Sequence, residues 1–301
     1  MIDASEDLAD RIARLTETDG VHATKVPHVC LIRSSHPTQE IHTVHEPALC
    51  LVVQGRKRVM LSDQIFDYDQ SQFLMVSFDL PVTGQVVNAT PDCPYLCLRL
   101  DIETTALAGL IAEIGIDENQ TSEVGPGLML GEATADILDA ADRLVRLIET
   151  PQDIPILAPM LERELLYRVL RGPHAGHLRS LAFGKGQSRQ VARAISWIKE
   201  NYRTPFDMDE VASAASLSAS ALHQHFKSVT LMSPLQYQKR LRLQEARRLM
   251  LFQGEDAATA GFAVGYESPS QFSREYRRQF GAPPLRDVAY LIEKSDFAAS
   301  V

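Results

Sequence analysis

Two stretches fifty residues apart in the last third of the chain repeat one pattern, and this repeat constrains the fold more than any other feature. ASLSASALHQHFKSVTLMSPL runs from Ala215 to Leu235, and GYESPSQFSREYRRQFGAPPL from Gly265 to Leu285. Ser218 falls on Ser268, Ser220 on Ser270, Leu222 on Phe272, Phe226 on Tyr276 and Lys227 on Arg277. Pro234 and Leu235 fall on Pro284 and Leu285. Apolar, capping and basic positions are the ones retained, as expected where one supersecondary unit is used twice.

Each copy reads as a helix-turn-helix. Ser218 and Ser268 are placed to cap a helix, and Pro269 takes a first turn where a missing N–H costs nothing. A shorter helix precedes each: DMDEVASAA, opened by Asp207 or Asp209, and DAATAGFAVG, ending at Gly265. The second helix of such a unit enters the major groove with its N-terminal residues at base edges. The candidate DNA contacts are therefore Ser220, His223, Gln224 and Lys227 in the first copy, and Ser270, Ser273, Arg274 and Arg277 in the second. Arg reads guanine O6/N7 with two hydrogen bonds, and Gln reads adenine in the same way. SPLQYQKRLRLQEARRLML predicts a connecting helix over residues 233–251, about 27 Å long at about 1.5 Å per residue. That length suits recognition helices set about one DNA turn, or about 34 Å, apart.

Charge agrees with a divided chain. The whole carries −9, but divided after Ser188 the first part holds 15 Lys+Arg against 27 Asp+Glu and the remainder 15 against 12. A net-acidic protein thus keeps a net-basic segment for phosphates. The N-terminal residues are acidic and amphipathic with no signal-peptide core, no apolar run is long enough to span a bilayer, and four cysteines are few. A cytoplasmic protein with no membrane association is expected.

Residues 1–20 predict a short helix. From residue 21 to 100, short apolar runs broken by turn residues predict an antiparallel barrel or sandwich. From 103 to 172 the period becomes helical. One stripe holds Leu138, Ala141, Val145 and Ile148, a second Leu157, Leu161, Leu165 and Val169, and either is a candidate dimer contact. Residues 173–188 read as a linker, 189–290 as the DNA-binding domain and 291–301 as a tail. The fold class expected is α+β, a β-barrel with flanking helices followed by an all-α domain.

The second copy, with Gly265, Tyr266, Phe272, Tyr276, Phe280, Gly281, Pro284 and Arg286, resembles the signature segment of the AraC/XylS family, and Arg242, Ala246 and Leu249 fit the stretch before it. HEPALCLVVQGRKRV, YDQSQFLMVSFDLPV and ETPQDIPILAPMLERELLYRVLRGP are similar to the subfamily with an AraC-type N-terminal regulatory domain. The resemblance implies a cupin-like sensor barrel, dimerising helices, and promoter binding that regulates transcription through RNA polymerase. Gln224 departs from the pattern, standing where many relatives carry Arg.

A cupin-like barrel also raises the alternative of an enzyme with a DNA-binding tail. His36, His42, His45 and Glu46 cluster, yet His42 and His45 are an odd number apart and face opposite sides of a strand. No histidine follows between His45 and Leu100. No metal, cofactor or catalytic residue is expected, and Gly125-Pro126-Gly127 is a turn rather than a phosphate cradle. An unknown small-molecule effector is expected in the barrel, with His45, Cys50, Val52, Arg56, Arg58, Phe78 and Tyr95 as inward or rim candidates. The apolar neighbours of Cys50 suggest a structural thiol with a raised pKa. A constitutive regulator whose barrel is filled by its own side chains is a further alternative.

Overall fold

The computed structural model describes residues 4–114, 125–172 and 186–294. Helix α1 (Ala4–Leu15) leads into strands β1 (Gly20–Ala23), β2 (Val29–Ser34), β3 (Ile41–His45), β4 (Ala48–Gln54) and β5 (Arg56–Leu61). These continue as β6 (Gln64–Asp69), β7 (Gln72–Val76), β8 (Leu80–Asn88) and β9 (Tyr95–Asp101). After α2 (Thr104–Ile114) come β10 (Leu128–Glu132), α3 (Ala135–Arg146) and α4 (Ile154–Arg171). One sheet has the order β1-β2-β9-β4-β7-β10 and the other β3-β8-β5-β6. The expected α+β class and cupin-like barrel are present.

Side-chain alternation gives the six-stranded sheet two covered faces. Leu49, Leu51 and Val53 of β4, with Leu96, Leu98 and Leu100 of β9, join a core with Leu8 and Ile12 of α1, Leu144 of α3 and Leu165 of α4. The intervening Cys50, Val52, Tyr95 and Cys97 face Val59, Leu61, Tyr68, Leu80 and Val82 of the four-stranded sheet. A strand covered on both sides reads as a continuous apolar run, as ALCLVV does.

This double coverage corrects the dimer expectation. Leu138, Ala141, Val145, Leu165 and Val169 are buried in the chain's own core, and Ile148 and Leu161 pack against it. Leu157 is exposed, and it shares the outer surface of α4 with Ile156, Met160 and Tyr167. A second correction concerns residues 103–172, read as helical throughout. Leu128–Glu132 instead forms an edge strand whose Met129 lies opposite Met75 of β7. Pairing across fifty residues leaves no local periodicity to read.

The rest of the described chain is helical: α5 (Gln187–Asn201), α6 (Met208–Ala214), α7 (Ala219–Thr230), α8 (Pro234–Phe252), α9 (Ala257–Ala263), α10 (Pro269–Phe280) and α11 (Pro284–Lys294). Most of the expected linker, residues 173–185, and the tail residues 295–301 lie outside the described residues. Helix α8 serves two cores. Its Tyr237 and Leu241 join Val211, Leu222 and Phe226 in a core continuous with the barrel interior. Its Leu243, Ala246, Leu249 and Met250 join Phe272 and Tyr276 in a separate one.

Candidate nucleic-acid interface

The repeat is matched in three dimensions. Helices α7 and α10 begin fifty residues apart, with the Ser218 hydroxyl accepting from the Ala221 N–H and the Ser268 hydroxyl from the Gln271 N–H. Both end on a left-handed residue, Leu231 and Gly281. The preceding helices α6 and α9 are capped by Asp207 and Asp256, whose carboxylates each accept two backbone N–H groups. The turns within the two units carry positive φ at Ser216 and Gly265.

Helix α8 holds the units at a fixed spacing. It has a capping box between Ser233 and Gln236 and runs 19 residues, about 28 Å at about 1.5 Å per residue. At the changeover between its two cores stands Arg242. Its guanidinium donates to the carbonyls of Tyr202 and Thr204 on one side and of Gly265 on the other. Gly265 is required there, because φ is +92° and an added Cβ would lie 2.1 Å from the Arg203 carbonyl oxygen.

Of the expected DNA contacts, Ser220, His223, Gln224, Lys227, Ser270, Arg274 and Arg277 are exposed, and Ser273 is half-buried. Leu222, Phe226, Phe272 and Tyr276 are buried on the opposite faces. Lys227, Arg274, Arg277 and the neighbouring Arg278 make no ion pair among the described residues, whereas Arg11, Arg58, Arg143 and Arg168 are all paired. An unpaired cation on an exposed helix face is free to meet a phosphate or base edge. The exposed face of α10 also presents Arg278 and Gln271, each one residue from an expected contact.

The basic residues of α8 serve a different purpose. Lys239 pairs with Glu275 at 2.8 Å, Arg248 with Glu245 at 2.7 Å, and Arg247 holds both oxygens of Asp287 at 2.8 Å. The Tyr276 hydroxyl donates to the same Asp287 carboxylate at 2.7 Å. The Lys239 and Arg247 pairs fasten α10 and α11 to α8, while the Arg248–Glu245 pair lies within α8 itself.

The two N-terminal sheets touch this segment at a few named points. Asp79, between β7 and β8, pairs with Lys199 at 2.7 Å, and its carbonyl accepts the Tyr237 hydroxyl at 2.7 Å. The Gly127 N–H donates to the Val229 carbonyl at 2.8 Å. Gln39 bonds to Tyr290. The His42 ring meets Phe280 edge-on at 4.9 Å and contacts the Thr83 hydroxyl at 2.9 Å. Burial, reinforced by Arg247 and Arg240, pushes the His42 pKa down to about 4. Beside these contacts lies a cleft of about 380 Å³ lined by Ile41, Val44, Leu241, Leu251, Tyr290 and Lys199, among others.

The expected effector residues do not form one pocket. Cys50, Val52, Phe78 and Tyr95 are buried in the packed interior. Arg56 and Arg58 turn outward and pair with Asp69 and Asp67 across the β5–β6 hairpin. An inward cation that the sequence reading passed over is Lys57, whose ammonium lies 5.9 Å from the Tyr95 ring centroid. Lys57 shares strand parity with the buried Val59 and Leu61, and that parity was the available signal. Cys50 is also corrected: its sulfur lies 3.6 Å from His45 Nε2, and its pKa is lowered by the neighbouring Cys97 and by His45, against the effect of burial. His42 and His45 project to opposite faces of β3, and no metal-holding group of three or more His, Cys, Asp or Glu occurs among the described residues. Among those residues, no helix is long and apolar enough to cross a membrane.

Comparison with known proteins places these observations. A family model described as "AraC-type transcriptional regulator N-terminus" matches residues 25–177, and one described as "Helix-turn-helix domain" matches residues 211–287. The transcriptional activator RhaS of Pectobacterium atrosepticum is 33% identical over 114 residues, 37% of this chain and 41% of the relative. RhaS of Klebsiella pneumoniae is 32% identical over 99 residues, 33% of this chain and 35% of the relative. The matched stretch thus spans about two fifths or less of these curated relatives. A crystal structure of ToxT from Vibrio cholerae superposes with a TM-score of 0.58 at 10% identity, covering 88% of this chain and 97% of that one. Wild-type ToxT with a bound unsaturated fatty acid gives a TM-score of 0.56 at 10% identity, with 86% and 94% covered. These two show the fold.

Proposed function

The chain belongs to the AraC-type transcriptional regulator family, and from that premise we propose that it binds promoter DNA through α7 and α10 and regulates transcription in response to a small-molecule effector. The observation that carries this reading is a pair of serine-capped helices with unpaired cations facing outward, set on the single rigid helix α8. Ser220, His223, Gln224, Ser270, Ser273 and Arg274 are assigned to base edges, and Lys227 and Arg277 to phosphates. The test is selection of bound duplexes from a random pool by the full chain. The expected site has two recognition elements about 10–10.5 base pairs apart. Recovery of unrelated sequences from which no common element emerges would remove the assignment. Neither matched family model describes an enzyme, which supports a regulator without catalytic activity, and a promoter target supports a cytoplasmic location.

For the effector, the cleft between β3 and α8 supports a better site than the barrel interior. It is floored by apolar side chains and edged by Lys199, which is held by Asp79. A small amphipathic acid, of the kind that ToxT carries as a fatty acid, fits that chemistry. Its carboxylate would compete with Asp79 for Lys199 and so favour one arrangement of the domains over another, as linkage requires. The packed barrel favours the second reading, a constitutive regulator. Thermal shift with carboxylic acids of graded chain length separates the two, because a ligand at 100 times its Kd adds about 2.7 kcal/mol of stability. The exposed outer surface of α4, with Ile156, Leu157, Met160 and Tyr167, is the proposed homodimer contact. RNA polymerase is the partner through which bound promoter DNA is read out.

A further inference from the structure

We propose that Cys50 is a peroxide-reactive thiol, activated by His45 and resolved by Cys97 inside the regulatory barrel. His45 closes β3 and Cys50 lies early in β4, on either side of a short corner whose Glu46 is exposed. The His45 Nδ1 is 2.7 Å from the Glu46 carbonyl oxygen. A carbonyl only accepts, so Nδ1 carries the hydrogen and Nε2 presents its lone pair to the Cys50 sulfur at 3.6 Å. This is the arrangement in which an imidazole takes a thiol proton and leaves a thiolate.

The surroundings reinforce it. On the β4–β9 ladder Cys50 lies opposite Arg99, and Cys97 opposite Val52, which makes the two thiols diagonal neighbours on the inner face. Arg99 favours the Cys50 thiolate, and Lys57 of β5 acts on Cys97. Tyr68 and Tyr95 are the other titratable groups facing the pair, with Cys30 acting more weakly from β2. The imidazole reaches Cys50, while the Cys97 thiol donates to the Leu98 carbonyl at 3.5 Å, as suits one attacking and one resolving sulfur. The Tyr95 hydroxyl is buried in the same cluster without a hydrogen-bond partner among the described residues.

The step balances as follows. The Cys50 thiolate attacks one peroxide oxygen, an S–O bond forms as the O–O bond breaks, and His45 returns its proton so that the leaving hydroxide departs as water. The Cys97 thiol then attacks the sulfenic sulfur, the S–O bond breaks, and the Cys97 proton leaves with that oxygen as a second water. Two thiols lose two electrons and the peroxide gains them.

Diagonal neighbours on an antiparallel ladder have Cα atoms about 7–8 Å apart, whereas a disulfide holds them at about 5.5–6 Å. Bond formation therefore shortens the Cys50–Cys97 Cα separation by about 1–2.5 Å, which shears β4 against β9. His45 lies opposite Leu80 on the β3–β8 ladder, next to Asp79, which holds Lys199 and Tyr237 of the DNA-binding segment. Oxidation is thus delivered one residue from the interdomain contact, a consequence that rests on the DNA-binding reading above.

The test uses the full chain and hydrogen peroxide at neutral pH, followed by denaturation in an alkylating agent and peptide mapping. A Cys50–Cys97 disulfide is expected, formed at least tenfold faster than oxidation of the exposed Cys93. Cys97→Ser should leave Cys50 as a sulfenic acid trapped by dimedone. His45→Asn should slow Cys50 oxidation at least tenfold at neutral pH, with the gap closing in alkali, where a thiolate needs no base. Should that variant fail to fold, the pH profile of Cys50 oxidation in the wild-type chain serves instead, and a thiolate already formed at neutral pH is expected. Cys50 oxidation no faster than that of Cys93, or with no link to Cys97, overturns the assignment. If the reduced chain binds DNA and the oxidised chain binds equally well, the coupling to Asp79 is wrong while the thiol chemistry stands. If the reduced chain binds no DNA, the failure belongs to the functional reading.

Discussion

Lys199 Nζ lies 2.7 Å from the Asp79 carboxylate, and the Asp79 carbonyl receives the Tyr237 hydroxyl, so one residue of the regulatory domain holds two helices of the DNA-binding segment. Both side chains of the ion pair remain partly exposed, at 36% and 21%. A double-mutant cycle with Asp79→Ala and Lys199→Ala should therefore give a coupling of only about 0.5–1 kcal/mol in urea unfolding. The coupling should shrink further in about 1 M salt, where the screening length falls to about 3 Å. A salt-independent coupling of several kcal/mol would mean the pair is far more deeply buried than this.

The recognition helices make a sharper prediction. Arg274→Ala should cost about 1–3 kcal/mol on the preferred duplex and relax base preference at one position. Arg277→Ala should weaken all duplexes about equally and reduce the salt dependence of binding by about one phosphate contact. Anisotropy titrations over a panel of single-base variants measure both. An unchanged base profile for Arg274→Ala means that α10 is set in the groove in another register.

Gly265 and Arg242 form one joint, and each is expected to be sensitive for its own reason. Gly265→Ala places a Cβ against the Arg203 carbonyl at positive φ and should destabilise by at least about 2 kcal/mol. Gly254 also has positive φ but open space around it, so its alanine variant should lose only the left-handed strain of about 1–2 kcal/mol. Arg242→Met leaves the Tyr202, Thr204 and Gly265 carbonyls without their charged donor, a loss of about 1–3 kcal/mol. Urea melts that fail to rank Gly265→Ala above Gly254→Ala remove the steric account.

Acid should loosen the second unit first. His42 has a folded pKa near 4, below the unfolded value of about 6.5. Between these values the unfolded chain binds the extra proton, so stability is full above about pH 6.5 and falls as pH drops toward 4. The loss from this one group is up to about 3 kcal/mol. His42→Gln, which keeps a polar group near Thr83 but does not titrate, should flatten the slope of stability against pH in that window. An identical slope in the variant assigns the effect elsewhere.

Ile156→Glu combined with Met160→Glu should yield a monomer with an unchanged melting temperature, since both side chains are already exposed, at 70% and 62%. Leu165→Glu should instead unfold the regulatory domain, because Leu165 is fully buried. Sedimentation showing an intact dimer for the α4 double variant removes the proposed contact.

Local chemistry made the DNA-binding segment legible. Ser218, Ser268, Pro269 and the apolar spacing of Phe272 and Tyr276 act within one or two turns, and the structure uses each where its spacing indicated. Long-range pairing hid the remainder. Nothing near Leu128–Glu132 signals a partner at residues 72–76. The stripes of α3 and α4 were legible as apolar, but their destination depended on a sheet that needs cover on both faces. Lys57 was hidden between two arginines that looked more available. Cys50 was judged by its chain neighbours, whereas its sulfur meets His45 Nε2 at 3.6 Å across the strand corner.

The division of α8 between two cores also bears on how the molecule opens. The first helix-turn-helix shares a core continuous with the barrel, while the second rests on nine buried residues of its own. Amide protons of α9 and α10 should therefore exchange through a partial opening that spares α5 to α7, with a free energy below that of global unfolding. Protease cutting in the native state should begin in the same place. In a cell this subunit of structure is the part that degradation machinery meets first, and the part whose protection by a bound duplex would most lengthen the life of the whole chain.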